Sequence, residues 1–109
     1  MSGNINFDGW INDDGSENYK CRAWVNFNGT GTVAIRESGN VSSVTDSAVG
    51  RYTVNFLTSL PDNVYSVVSD SSAWIANSSN LTTSSISVDV FNGSGTFVDS
   101  SQVMSAIFR

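Results

Sequence analysis

The sequence predicts an all-β protein, a small antiparallel β-sandwich of about six to eight strands. Three observations lead there. No window carries an apolar repeat at the helical period. Alternation of period two, by contrast, recurs along the chain. Clusters of Gly, Asn, Asp and Pro separate the alternating runs at the spacing of short strands in a sandwich.

Residues 1–20 form an N-terminal arm, and residues 21–109 the sandwich domain. Asn, Asp and Gly dominate the arm, with Ile5, Phe7, Trp10 and Ile11 scattered among them. It is either loosely ordered or a segment that docks on a neighbouring subunit. Exposed Phe and Trp favour docking, which makes Phe7 and Trp10 candidate oligomer contacts. In the first strong strand, Cys21, Ala23, Val25 and Phe27 point one way and Arg22, Trp24 and Asn26 the other. Trp24 thereby leaves the inner face and joins the candidate oligomer contacts, while Cys21 is expected inside as a small hydrophobe.

Asn28-Gly29 and Gly31 turn the chain after this strand, and a short run follows at Val33–Ile35. Gly39-Asn40 and Gly50 punctuate the middle. Tyr52, Val54 and Phe56 then alternate with Arg51, Thr53 and Asn55. Pro61 lies between strand runs, where its missing N–H costs least. Shorter strands are expected at Val64–Val68 and Ala73–Ala76. Ile86, Val88 and Val90 alternate with Ser85, Ser87 and Asp89, and Asn92-Gly93-Ser94-Gly95 forms the last turn. In the final strand Met104, Ala106 and Phe108 alternate with Val103, Ser105 and Ile107.

Composition excludes whole classes of chemistry. The chain has no histidine, which removes Ser-His-Asp and Cys-His nucleophile pairs, imidazole zinc sites and histidine pH switches. Five Lys and Arg on 109 residues, at net charge −5, argue against nucleic acid as a partner. Met1 to Asp8 lacks the basic and apolar regions of a secretory signal and no run is long enough to span a bilayer, so neither a signal peptide nor membrane insertion is expected. The Asn-X-Ser/Thr triplets at Asn28, Asn40, Asn77, Asn80 and Asn92 accordingly read as turn chemistry.

Asp13-Asp14-Gly15-Ser16-Glu17 is the densest acidic run, but its spacing does not match a calcium loop and it reads as a solvated turn. Asp70, Asp89 and Asp99 offer no pair singled out for glycoside hydrolysis, and Cys21 has no base to activate it. The protein is therefore not expected to be an enzyme, and no cofactor or metal is expected. Cys21 is the only cysteine, so no intrachain disulfide supports a modest core, and association with further copies is the remaining general way to bury more apolar surface.

The aromatic side chains carry the functional signal. Sugars need a flat apolar surface for the C–H side of a ring, beside polar groups that fix the hydroxyls. Trp74, in Ser71-Ser72-Ala73-Trp74-Ile75-Ala76-Asn77, is bracketed by polar residues. Trp74, Asn77, Tyr65, Asp70 and Arg51 are the candidate carbohydrate contacts. For each tryptophan, packing at a subunit interface is the alternative.

Cys21-Arg22-Ala23-Trp24-Val25-Asn26-Phe27-Asn28-Gly29-Thr30-Gly31-Thr32 resembles a segment common in the distal, C-terminal domains of tailed-bacteriophage tail-fibre proteins. The likeness continues through Ile35-Arg36, Gly39 to Asp46, Gly50 to Phe56, and Leu60-Pro61-Asp62 with Val64 to Val68. It returns at Ala106-Ile107-Phe108-Arg109. The second half is similar, more faintly, to the H-type lectin domain: a strand with Val54 and Phe56, a Pro in the next loop, then alternating strands. That second resemblance implies an antiparallel sandwich that forms a homotrimer. No sugar-binding residue is carried over from it.

Together these resemblances imply a virion protein, assembled in the host cytoplasm and acting as a tail-fibre tip that attaches the particle to a bacterial surface glycan. Its partners would be its own copies in the trimer, other virion proteins and the glycan. Tail-fibre relatives carry the domain after a shaft, whereas here Met1 comes about twenty residues before the shared segment. The chain is thus either separately encoded or a fragment of a longer fibre. A separate protein without a shaft fits the alternative, a non-adhesive structural virion protein that decorates the capsid or joins the tail or baseplate.

Overall fold

The structure is a computed structural model and describes residues 3–5, 10–12, 14, 17–18 and 20–109, with backbone alone in the short strands before residue 19. Those strands, β1 (Gly3–Ile5), β2 (Trp10–Asn12) and β3 (Glu17–Asn18), pair as an antiparallel meander. The arm is therefore more regular than its composition suggested. Phe7 lies outside the described residues, as do the Trp10 side chain and most of the acidic run.

The rest of the chain is an all-β sandwich of two four-stranded antiparallel sheets. Its strands are β4 (Cys21–Asn28), β5 (Ala34–Gly39), β6 (Val41–Ala48), β7 (Arg51–Phe56), β8 (Ser66–Ser71), β9 (Ile75–Ser79), β10 (Ser85–Phe91) and β11 (Val103–Phe108). One sheet runs β5-β4-β11-β8 and the other β6-β7-β10-β9. Consecutive strands β5 and β6 fall in different sheets, as do β8 and β9, so the chain changes layers at both sides of the sandwich. β11 closes the fold by pairing with β4 from the other end of the chain.

The core lies between the sheets. Ala23, Val25 and Phe27 of β4, with Val103 and Ile107 of β11, face Tyr52, Val54 and Phe56 of β7 and Ile86, Val88 and Val90 of β10. Phe27 meets Tyr52 edge to face, with ring centroids 5.1 Å apart. Leu60 and Tyr65, from the long connection after β7, close one end, and Tyr65 packs edge to face on Phe56.

The structure decides three points, one of which, the place of Cys21, is a correction. In β11 the inner set is Val103, Ser105 and Ile107, so Met104, Ala106 and Phe108 face outward. The buried Ser105 hydroxyl is satisfied by Ser69, which also bonds Ser78, so the burial carries no orphaned polar group. Cys21 is exposed, because a register shift at Ile107/Phe108 takes the start of β4 out of the alternation that buries Ala23. The strand β6 escaped the period-two reading altogether. It is a Ser-rich edge strand whose two register shifts interrupt the alternation, leaving Val41 and Val44 half-buried.

Turn chemistry holds the corners. Asn40 adopts a left-handed φ of 54° between β5 and β6. Its side chain donates to the carbonyls of Arg22 and Thr58 and accepts from the Thr58 N–H, tying three segments together. Gly50 enters β7 at φ 66°, and an added Cβ would come within 2.6 Å of Val98 N. Asp99 accepts from the Gly50 N–H at 2.8 Å and from the Tyr52 hydroxyl at 3.0 Å, so this corner is fixed from both sides.

Candidate functional site

Inward residues of β7, β10 and β9 are consumed by the core, so their alternates necessarily form the outer face of that sheet. Register decides which of them meet. Asp89 stands opposite Arg51 on one side and Asn77 on the other, giving a polar cross-strand row. Ser87 stands likewise between Thr53 and Ser79. Two residues along β10 in the other direction, roughly 7 Å away, Phe91 pairs with Ile75 and forms an isolated bridge with Phe97. An apolar row thus lies directly beside a polar one.

Arg51 joins the two rows. Its Nε donates to Asp89 Oδ1 at 3.3 Å, and its guanidinium carbon lies 4.9 Å from the centre of the Phe97 ring. The pair is exposed on the arginine side, so it contributes little to stability, of the order of 0–1 kcal/mol. Because the ion pair runs through Nε, the terminal amino groups remain donors toward solvent. A hollow of about 280 Å³ extends from this pair, lined by Ser47, Thr53, Ser79, Asn80 and Ser87 among others. The arrangement combines a partly exposed aromatic ring, a guanidinium lying over it, a carboxylate and many hydroxyls. Those are the groups that stack on a sugar ring and order its hydroxyls.

Of the five carbohydrate candidates read from the sequence, Arg51 and Asn77 are brought into the same row. Trp74 is 43% exposed in the β8–β9 connection, immediately before Ile75. Asp70 lies on β8 in the other sheet, so it does not join them. Tyr65 is a correction: it is only 6% exposed and plugs the core, its hydroxyl donating to the Thr82 carbonyl at 2.6 Å. Burial pushes its hydroxyl above the usual tyrosine range. A ring so placed offers no surface to a ligand.

Sequence reasoning missed Phe97, Ile75 and the place of Asp89 in the row. Asp89 was visible as an outward residue of an alternating strand, but its neighbours depend on pairing. Phe97 follows the left-handed Gly95, and only the hairpin geometry brings it beside Arg51.

Among the described residues no group of His, Cys, Asp and Glu could hold a metal ion, and no helix is long and apolar enough to cross a membrane. No protein-family model matches the chain, and neither a curated protein nor a solved structure matches it significantly.

Proposed function

We propose that the protein is a bacteriophage virion protein, a homotrimeric tail-fibre tip that attaches the particle to a bacterial surface glycan by binding and not by catalysis. The observation that carries this reading is the outer face of β7, β10 and β9, where Phe97 and Ile75 adjoin the Arg51–Asp89–Asn77 row. The tail-fibre likeness of residues 21–69 supports the biological setting. Shallow sites of this kind bind weakly one at a time, and three on one trimer raise avidity through effective concentration.

The test is saturable binding of the labelled protein to intact host cells beside non-host cells. Phe97→Ala and Arg51→Ala should each weaken binding at least tenfold with an unchanged far-UV spectrum, and free sugar should compete with the wild type. Trp74→Ala reports whether the site extends around the β8–β9 turn. Absence of binding by the folded wild type would shift the assignment to a non-adhesive structural virion protein.

A further inference from the structure

Two turns of this protein are built from nearly the same pentapeptide. Phe27-Asn28-Gly29-Thr30-Gly31 ends β4, and Phe91-Asn92-Gly93-Ser94-Gly95 ends β10. They hold the two Asn-Gly steps of the sequence. Their local geometry agrees as well. Asn28 Oδ1 accepts from the Thr30 N–H at 2.9 Å and from the Thr30 hydroxyl at 2.6 Å. Asn92 Oδ1 accepts likewise from the Ser94 N–H at 3.0 Å and from the Ser94 hydroxyl at 2.9 Å. The surroundings differ. Gly29 is buried, its N–H donates to the Ser100 carbonyl at 2.8 Å, and the Tyr52 hydroxyl packs where a Cβ would stand. Gly93 is exposed, with nothing within 4 Å of where a Cβ would stand. Among the described residues the Gly93 N–H meets no acceptor. Asn92 Oδ1 also has a third donor, the Thr96 N–H at 3.1 Å.

We propose that Asn92 is a site of spontaneous deamidation in the folded protein, and that the fold protects Asn28 in the same local sequence. Water is the sole co-reactant. Hydroxide takes the Gly93 N–H proton, and the nitrogen forms a bond to Asn92 Cγ. Negative charge then collects on Oδ1, where the three donors stabilise it. The Cγ–Nδ2 bond breaks, the amide nitrogen leaves as ammonia with a proton from water, and a five-membered imide remains. Water adds across one of the two imide C–N bonds and opens the ring to aspartate or to isoaspartate. Nothing is oxidised or reduced.

Two requirements separate the sites. The attacking nitrogen must give up its proton to solvent, and the backbone must rotate to bring that nitrogen onto Cγ. Gly29 meets neither, because its proton is held in a buried hydrogen bond and Tyr52 and Ser100 fix its backbone. Gly93 meets both, since a glycine at an exposed loop tip ranges widely in φ and ψ. Isoaspartate reroutes the main chain through the former side chain. The carbonyl that accepts from the Gly95 N–H then leaves the main chain, and the turn gains a carbon. This hairpin delivers Phe97 to Arg51, but the conversion itself is independent of the glycan reading.

Ageing of the full chain at mildly alkaline pH, folded and in denaturant side by side, tests the proposal. Tryptic digestion separates the two steps, since cleavage after Arg22, Arg36 and Arg51 places Asn28 in peptide 23–36 and Asn92 in peptide 52–109. Mass spectrometry with electron-transfer fragmentation then locates each conversion and distinguishes isoaspartate from aspartate. In denaturant the two sites should convert at similar rates, because their local sequences match. In the folded protein Asn92 should convert at least tenfold faster than Asn28, and faster still as pH rises. Gly93→Ala has room for its methyl group, so it should keep the fold and slow the Asn92 conversion at least tenfold. Equal rates at the two sites of the folded protein would overturn the proposal. So would an Asn92 that stays intact in the folded protein while the unfolded chain converts. A folded Gly93→Ala protein that converts at the wild-type rate would overturn it too.

Discussion

Gly50 and Tyr52 show how much of this fold rests on single positions. Gly50→Ala would place a Cβ in a left-handed backbone and against Val90 O and Val98 N. The conformation alone costs about 1 kcal/mol, and the collision with backbone adds to it. A loss of at least about 2 kcal/mol is expected, which for a chain this size lowers Tm by roughly 8–16 °C. Tyr52 is buried, and its single hydroxyl proton serves the Gly29 carbonyl at 2.9 Å and Asp99 at 3.0 Å. Burial, followed by the Asp99 hydrogen bond and charge, pushes its hydroxyl far above the usual tyrosine range. The unfolded chain ionises near pH 10, so the folded state holds protons that the unfolded state releases. Stability is complete below about pH 10 and falls as pH rises beyond it. Denaturant midpoints at pH 8 and 11 should show this drop, and Tyr52→Phe should reduce it. At pH 7 that variant should cost about 1 kcal/mol from the lost hydrogen bonds.

At the scale of elements, β11 carries the main lesson. Its alternation leaves open which set faces inward, and Val103, Ser105 and Ile107 are the buried one. The difference lies in Ser69, which supplies a partner for the Ser105 hydroxyl that no local pattern reveals. Ser105→Val should therefore be tolerated poorly despite its apolar gain, because Ser69 would lose one of its two hydroxyl partners in a part-buried position. The expected loss is of the order of 1 kcal/mol, read as a lower denaturant midpoint. β7 and β10 were legible because each buries an unbroken alternating set, and β4 because it does so from Ala23 to Phe27. Edge strand β6 was not, since its register shifts break the period on which the reading depends.

On the whole-molecule scale, the two outer faces differ in character. The β6-β7-β10-β9 sheet carries a polar row beside Phe97, on which the proposed glycan site rests, and the β5-β4-β11-β8 sheet carries an apolar row of Trp24, Ala106 and Val68. Among the described residues the core cluster runs from Ala23 to Ile107. Deleting residues 1–18 should consequently leave a cooperative thermal transition and a β-type far-UV spectrum. Under the adhesin reading the truncated protein should still bind cells, whereas under the structural-virion reading the deletion should abolish incorporation into particles.

The sequence by itself determined the fold class, most strand positions, the outward course of Trp24 and the absence of histidine chemistry. Each of these follows from local periodicity or from composition, which need no knowledge of neighbours. Tertiary structure decided which face of β11 is buried, why Tyr65 serves the core, and which residues share a row with Arg51. Those outcomes depend on strand register and on contacts between residues far apart in the chain. Asp89 meets Arg51 across 38 positions because β10 pairs with β7, and no local pattern encodes that pairing.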